Sequence, residues 1–151
     1  MGRPTLYEAA GGAPAMLALA TDFHARCLAD PVLEHPFSKR GSPEHVQRLA
    51  DYWGEVLGGP PVYSEEYGGH EAVLRLHANQ VDDEDPFSAL FLDCFNAAVA
   101  ATLPADPELR AALDAYMRAA TAEVASYFPM DAKVPAGAPM PHWDWDGPVQ
   151  R

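Results

Sequence analysis

The chain has few basic residues, only two cysteines and no long apolar run. Its 151 residues contain 10 Lys and Arg against 22 Asp and Glu, which gives a formal net charge of −12. Because phosphate binding requires clustered lysine and arginine, this balance argues against nucleic acid and anionic membranes as partners. The first twenty residues lack the basic start and apolar core of a signal peptide, and no later stretch is long enough to span a bilayer. These absences predict a cytoplasmic protein.

Metal-ligating and thiol groups are also sparse. Cys27 and Cys94 are isolated in sequence and fall on apolar faces of predicted helices, a position typical of buried reduced thiols. No stretch clusters the ligands that a mononuclear metal hydrolase would need, which excludes that class.

Helical periodicity is present almost throughout. Apolar residues recur at three- and four-residue spacing in four segments, which are residues 11–30, 41–59, 82–104 and 106–128. Ser42 and Pro43 predict the start of the second segment and Gly58 its end, while Asp106 and Pro107 predict the start of the last. On the first segment, the predicted apolar face holds Leu17, Ala20, His24, Cys27 and Leu28, with Phe23 beside it. Without any strand pattern or internal repeat, the chain is predicted to be all-α.

The composition changes after Phe128. Residues 129–151, "PMDAKVPAGAPMPHWDWDGPVQR", are rich in proline and aperiodic. Such a composition is typical of an extended or disordered segment. The sequence therefore predicts one domain over residues 1–128, followed by a peripheral tail over residues 129–151.

The segment "HEAVLRLHANQ", residues 70–80, places two histidines in a helix-compatible stretch. His70 and His77 are seven residues apart, so on a helix they lie on one face, roughly 10 Å apart along the axis. One zinc ion cannot comfortably take both, and the HExxH pattern fails because Leu74 stands where its second histidine should be. A histidine that ligates alone suggests a planar cofactor carrying an iron rather than a tetrahedral ion site.

Four stretches, taken in order, resemble the truncated haemoglobins, and most closely their group II. They are "LYEAAGG", "ADPVLEHPF", "RLADYWGEVLGGPPVYSEE" and "GGHEAVLRLH", within a resemblance that runs from about Leu6 to Phe128. The resemblance implies a shortened globin, with a two-on-two helical sandwich around a b-type haem.

On the proximal side, the resemblance places His77 as the ligand of the haem iron. That role requires a neutral imidazole whose second nitrogen is hydrogen-bonded. His70, two turns earlier, is expected to shape the loop rather than bind iron. The arginine and Pro-Phe that usually flank the proximal histidine are missing, since the sequence here is "LHANQ".

On the distal side, this chain departs from the group II pattern. His24 stands where relatives usually carry a tyrosine, and Phe91 replaces their tryptophan. The predicted distal pocket consists of His24, His45, Phe37, Leu49 and Phe91. Either histidine is a potential hydrogen-bond donor to a ligand or a potential sixth iron ligand, and the sequence leaves both roles open.

Four further residues are expected to contact the haem. Phe23 and Tyr52 lie on the faces that would line the pocket. Tyr63 matches a family tyrosine that reaches a haem propionate, with a surface loop position as the alternative. Arg75 suits a propionate by its charge, although its offset from His77 is not the usual one.

The function that the resemblance implies is reversible binding of oxygen or another diatomic gas. Oxygen storage or transport, nitric oxide or peroxide chemistry, redox sensing, and a dioxygenase or peroxidase-like activity all stay open, and no residue is singled out as catalytic. Turnover would require an electron donor that nothing in the sequence identifies. The chain is expected to be a monomer or homodimer. The alternative is a haem-free helical interaction module on a globin scaffold.

Overall fold

The computed structural model describes residues 3–30, 43–77, 87–127 and 131–149, apart from the side chains of Pro43, Leu76, His77, Phe87 and Ser88. Over these residues, the chain forms seven α-helices and one β-hairpin. The helices are α1 (Leu6–Ala10), α2 (Ala13–Ala29), α3 (Pro43–Val56), α4 (Val62–Glu66), α5 (Gly69–His77), α6 (Phe87–Thr102) and α7 (Pro107–Ala125). The hairpin pairs β1 (His142–Asp144) with β2 (Gly147–Val149) in antiparallel register.

Several helix ends follow directly from the sequence. Asp106 caps α7 by accepting from the backbone N–H of Glu108 at 3.0 Å, and Pro107 occupies the first helical position, which confirms the predicted start. α1 begins with a capping box in which Thr5 and Glu8 each bond the other's backbone N–H. The predicted cap of α3, Ser42, lies outside the described residues.

The end of α3 confirms the predicted glycine stop. Gly58 follows the helix with φ of +106°, a conformation that favours glycine. A Cβ atom at this position would lie 2.7 Å from the Cβ of Thr5. The glycine therefore both ends the helix and lets the start of α1 approach it.

The helices pack in two layers of two. α2 lies against α3, α6 lies against α7, and α2 also packs on α6, which joins the layers. This arrangement confirms the all-α prediction and the two-on-two helical sandwich. Within the part of the chain that the structure describes, no helix is long and apolar enough to cross a membrane.

An aromatic cluster around Phe23 forms the centre of the core. The fully buried Phe23 ring meets the rings of Trp53, Phe91 and Phe95 at centroid distances of 5.3, 4.8 and 6.3 Å, all edge to face. Such edge-to-face pairs are favourable beyond the area they bury.

The buried face of α2 differs from the predicted one. Leu17 is 39% exposed, whereas Met16 and Leu19 are buried together with Ala20 and Cys27. The prediction assumed a narrow stripe, but α2 packs between α3 and α6, so its buried arc is wider and turned toward Met16 and Leu19.

The described part of the tail that was predicted to be extended or disordered, residues 131–149, contacts the helical body. Trp143 packs edge to face on Tyr116 of α7, with 5.6 Å between ring centroids. The Trp145 indole donates a 2.8 Å hydrogen bond to the carbonyl of Pro4, and its ring lies 3.8 Å beneath the Arg3 guanidinium. Over its described residues, the tail therefore ends in a hairpin docked on the helical body.

Candidate functional site

Two imidazoles meet between α2 and α3. The ring centroids of His24 and His45 lie 5.5 Å apart, and the rings are tilted by 60°. His24 is 6% exposed and His45 half-buried. Desolvation by burial lowers the pKa of His24, which favours its neutral form. The structure thus brings together the two histidines that the sequence predicts for the distal pocket.

Several apolar side chains of α3, α5 and α6 are only partly buried. Leu49 of α3 and Phe91 of α6 pack against the core yet keep part of their surface exposed. The same holds for Val46, Val73 and Leu90, on α3, α5 and α6. Phe23, by contrast, is completely buried beneath Phe91. The remaining predicted member of the distal pocket, Phe37, lies outside the described residues.

His70 is held by hydrogen bonds on both sides of its ring. Its Nδ1 lies 2.8 Å from the Tyr52 hydroxyl of α3, and its Nε2 lies 2.8 Å from Oε1 of Glu123 on α7. The Tyr52 ring and the imidazole are nearly parallel, with 15° between their planes and 6.0 Å between their centroids. We call Tyr52, His70 and Glu123 the tyrosine–histidine network.

Burial keeps Tyr52 and Tyr116 protonated. Desolvation raises the pKa of both Tyr52 and Tyr116 well above the usual range of a phenol. Each hydroxyl therefore remains a hydrogen-bond donor at any physiological pH.

Tyr63 is buried rather than exposed on the loop. Its ring lies edge to face on Tyr52 at 5.2 Å, and burial raises its pKa. The segment is fixed by the buried carboxylate of Glu55, which accepts from the backbone N–H of Ser64 at 2.8 Å and from its hydroxyl. Glu55 supplies the cap that Pro61, at the start of α4, cannot.

Arg75 is exposed and already paired. Its Nε lies 2.7 Å from Oε2 of Glu71 one turn earlier on α5. The other carboxylate oxygen of Glu71 accepts from the backbone N–H of Gly137 at 2.6 Å. The pair uses Nε of Arg75 and leaves the donors of its two terminal nitrogens for a second carboxylate.

His77 is the last residue of α5, but its side chain lies outside the described residues. Among residues 3–30, 43–77, 87–127 and 131–149, no three His, Cys, Asp or Glu side chains cluster as a metal site. The two thiols are free, with Cys27 buried and Cys94 half-buried.

Sequence reasoning missed the tyrosine–histidine network. It gave His70 a role in the loop and Tyr52 a contact with the cofactor, and it did not consider Glu123 as a partner. The available signal was Tyr52 on an apolar helix face, because a buried tyrosine hydroxyl requires a hydrogen-bond partner. The partner itself could not be identified, since His70 and Glu123 are 53 residues apart.

Comparison with known proteins gives one family and a set of similar structures. Residues 5–124 match the family described as bacterial-like globin. The haemoglobin of Chloroflexus aurantiacus is 28% identical, with a TM-score of 0.69, over 81% of this chain and 98% of that one. The group II 2-on-2 haemoglobin of Agrobacterium tumefaciens is 26% identical, with a TM-score of 0.68, over 82% and 95%. The fold is shared with a variant of the group II truncated haemoglobin of Bacillus anthracis. That protein is 21% identical, with a TM-score of 0.73, over 82% of this chain and 92% of its own. These matches confirm the resemblance to group II.

Proposed function

Because the chain belongs to the bacterial-like globin family, we propose that it binds a b-type haem and uses it to hold oxygen or another diatomic gas reversibly. The proposal that the chain binds a gas rests on the imidazoles of His24 and His45, whose ring centroids lie 5.5 Å apart. His24 is buried, and burial favours its neutral form. A neutral imidazole has one N–H donor and one acceptor nitrogen, so it suits a small polar ligand.

The residues present fit a haem. The half-buried apolar side chains of α3, α5 and α6, among them Leu49, Val73 and Phe91, suit the apolar face of a macrocycle. The imidazole of His77 has the donor chemistry that globins use for the iron. When bound, the haem supplies an iron atom that takes up the gas.

The remaining chemistry belongs to the chain's own side chains. His24 and His45 would each donate an N–H to the gas ligand, in place of the usual tyrosine and tryptophan. His24 is the stronger candidate, because burial fixes it inside the fold, whereas His45 is half-buried in the first turn of α3. Its partial exposure suits His45 to the mouth of the pocket.

Haem uptake tests the proposal. The purified chain is supplemented with haem, desalted and scanned for a Soret band, in parallel with His77→Ala and with His142→Ala as the matched control on β1. We expect the wild type and His142→Ala to retain haem. His77→Ala should lose it or release it readily, because it removes the proximal bond.

Two results would contradict this. A normal five-coordinate histidine spectrum in His77→Ala would show that His77 is not the proximal ligand of the haem iron. A wild-type chain that stays colourless after supplementation would instead favour the haem-free helical interaction module.

A further inference from the structure

The tyrosine–histidine network joins three helices through one imidazole. His70 of α5 is 4% exposed, and its two ring nitrogens contact α3 through Tyr52 and α7 through Glu123. α5 itself is nine residues long and packs mainly against the short helix α4. The network therefore ties α5 to the two long helices.

The proton positions in this network follow from its chemistry. An ionised carboxylate only accepts hydrogen bonds, so Nε2 of His70 carries the proton that faces Glu123. In the neutral imidazole, Nδ1 must then accept, which makes Tyr52 the donor. The hydrogen bonds run in one direction, from Tyr52 to His70 and from His70 to Glu123.

This arrangement fixes the rotation of α5 about its own axis. The two partners of His70 lie on different helices, so turning α5 would break both bonds and leave the buried Tyr52 hydroxyl without its acceptor, which is costly. Position 77 follows His70 by seven residues, two turns along the same helix face. Holding His70 therefore holds the face on which His77 lies.

We propose that His70 is a positioning residue for the haem. Its hydrogen bonds to Tyr52 and Glu123 set the orientation of α5, and with it the direction from which His77 meets the iron. This inference rests on the proposed function, because it needs His77 as the iron ligand.

The test removes one bond at a time. Tyr52→Phe deletes the donor to Nδ1, and Glu123→Ala deletes the acceptor for Nε2. Glu123→Gln keeps an amide oxygen that can accept from Nε2, so it serves as the conservative rescue. Tyr67→Phe removes a hydroxyl next to α4 but outside the network, and serves as the matched control.

Two measurements are made on each variant. The first is hydrogen exchange of the α5 backbone amides in the haem-free chain, compared with exchange in α7. The second is the iron–imidazole stretching band of the ferrous, haem-loaded chain. For Tyr52→Phe and Glu123→Ala, we expect α5 exchange to accelerate by about tenfold or more relative to α7. We also expect the stretching band to shift or broaden, and both properties to return near the wild type in Glu123→Gln.

The possible results distinguish failure of the positioning role of His70 from failure of the proposed haem binding. Normal haem uptake with an unmoved stretching band, and with exchange raised equally in α5 and α7, would reduce the network to general stability and overturn the positioning role. Failure of the wild-type chain to take up haem would overturn the proposed function, and the role toward haem with it.

Discussion

Two buried histidine sites, both built on α3, differ in what surrounds the imidazole. His70 lies between a hydroxyl and a carboxylate, each 2.8 Å from a ring nitrogen. His24 is 6% exposed and faces a second imidazole, that of His45. α3 contributes to both sites, with His45 in its first turn and Tyr52 two turns later.

The difference shows how environment assigns a role to the same side chain. Both nitrogens of His70 are engaged by fixed partners, so its imidazole cannot serve a ligand unless the network breaks. Desolvation by burial lowers the pKa of His24 and favours the neutral ring that a gas ligand requires. We therefore expect changes at the His24 site to alter ligand binding and changes near the His70 site to alter the orientation of α5.

The largest effect is expected on oxygen release. His24→Leu removes a buried N–H donor, and the loss of a hydrogen bond contributing about 1–3 kcal/mol should accelerate release from several-fold to about a hundredfold. His45→Leu should have a smaller effect, because His45 is half-buried. Stopped-flow oxygen dissociation from both single variants and the double variant measures this.

The control is His142→Leu, the same substitution in the hairpin. Unchanged rates in both single variants and in the double variant would mean that neither histidine faces the ligand. The pocket would then have to be built from Phe37, Leu49 and Phe91 alone.

The two sites were not equally predictable from sequence. The proximity of His24 and His45 followed from helical spacing and family resemblance, because both were predicted on the inner faces of strongly periodic segments. The end of α3 at Gly58 and the start of α7 at Asp106 were predictable for local reasons, since glycine at positive φ and an aspartate cap act within one turn.

What the sequence could not predict depends on distant pairing. Glu123 reaches His70 across 53 residues, and Trp145 reaches the carbonyl of Pro4 across 141. The hairpin strands are three residues each, too short for an alternating pattern to be recognisable. The proline-rich composition of the tail correctly indicated that its described residues are not helical. It could not indicate where the indoles of Trp143 and Trp145 contact the helical body.

The next effect, in order of size, is expected from removing the tail. Truncation after Phe128 strips the Trp143 ring from the buried Tyr116 of α7 and removes the Trp145 bond to Pro4. We expect a loss of about 1–3 kcal/mol in the free energy of unfolding, measured by urea titration. Oxygen release should change much less than in His24→Leu.

The single variant Trp143→Ala separates packing on Tyr116 from the rest of the tail and should give part of that loss. Stability and helicity that match the full chain in both variants would show that the tail is peripheral, as its composition first indicated.

The smallest effect is expected in the pH dependence of stability, and it tests whether burial keeps His24 neutral. Burial lowers the pKa of His24 below its ordinary value of 6.5. Between that lowered pKa and 6.5, the unfolded chain binds a proton that the folded chain does not, so the free energy of unfolding falls as the pH falls through this window. His24→Leu abolishes this contribution to the pH dependence of the free energy of unfolding and leaves an apolar side chain at the buried position. Urea unfolding at about pH 7.5 and about pH 5.5, either side of the usual histidine pKa, should therefore show a larger loss on acidification in the wild type than in the variant. An equal loss in both would mean that His24 carries its proton as easily in the fold as in water, and the contrast between the two histidine sites would fail.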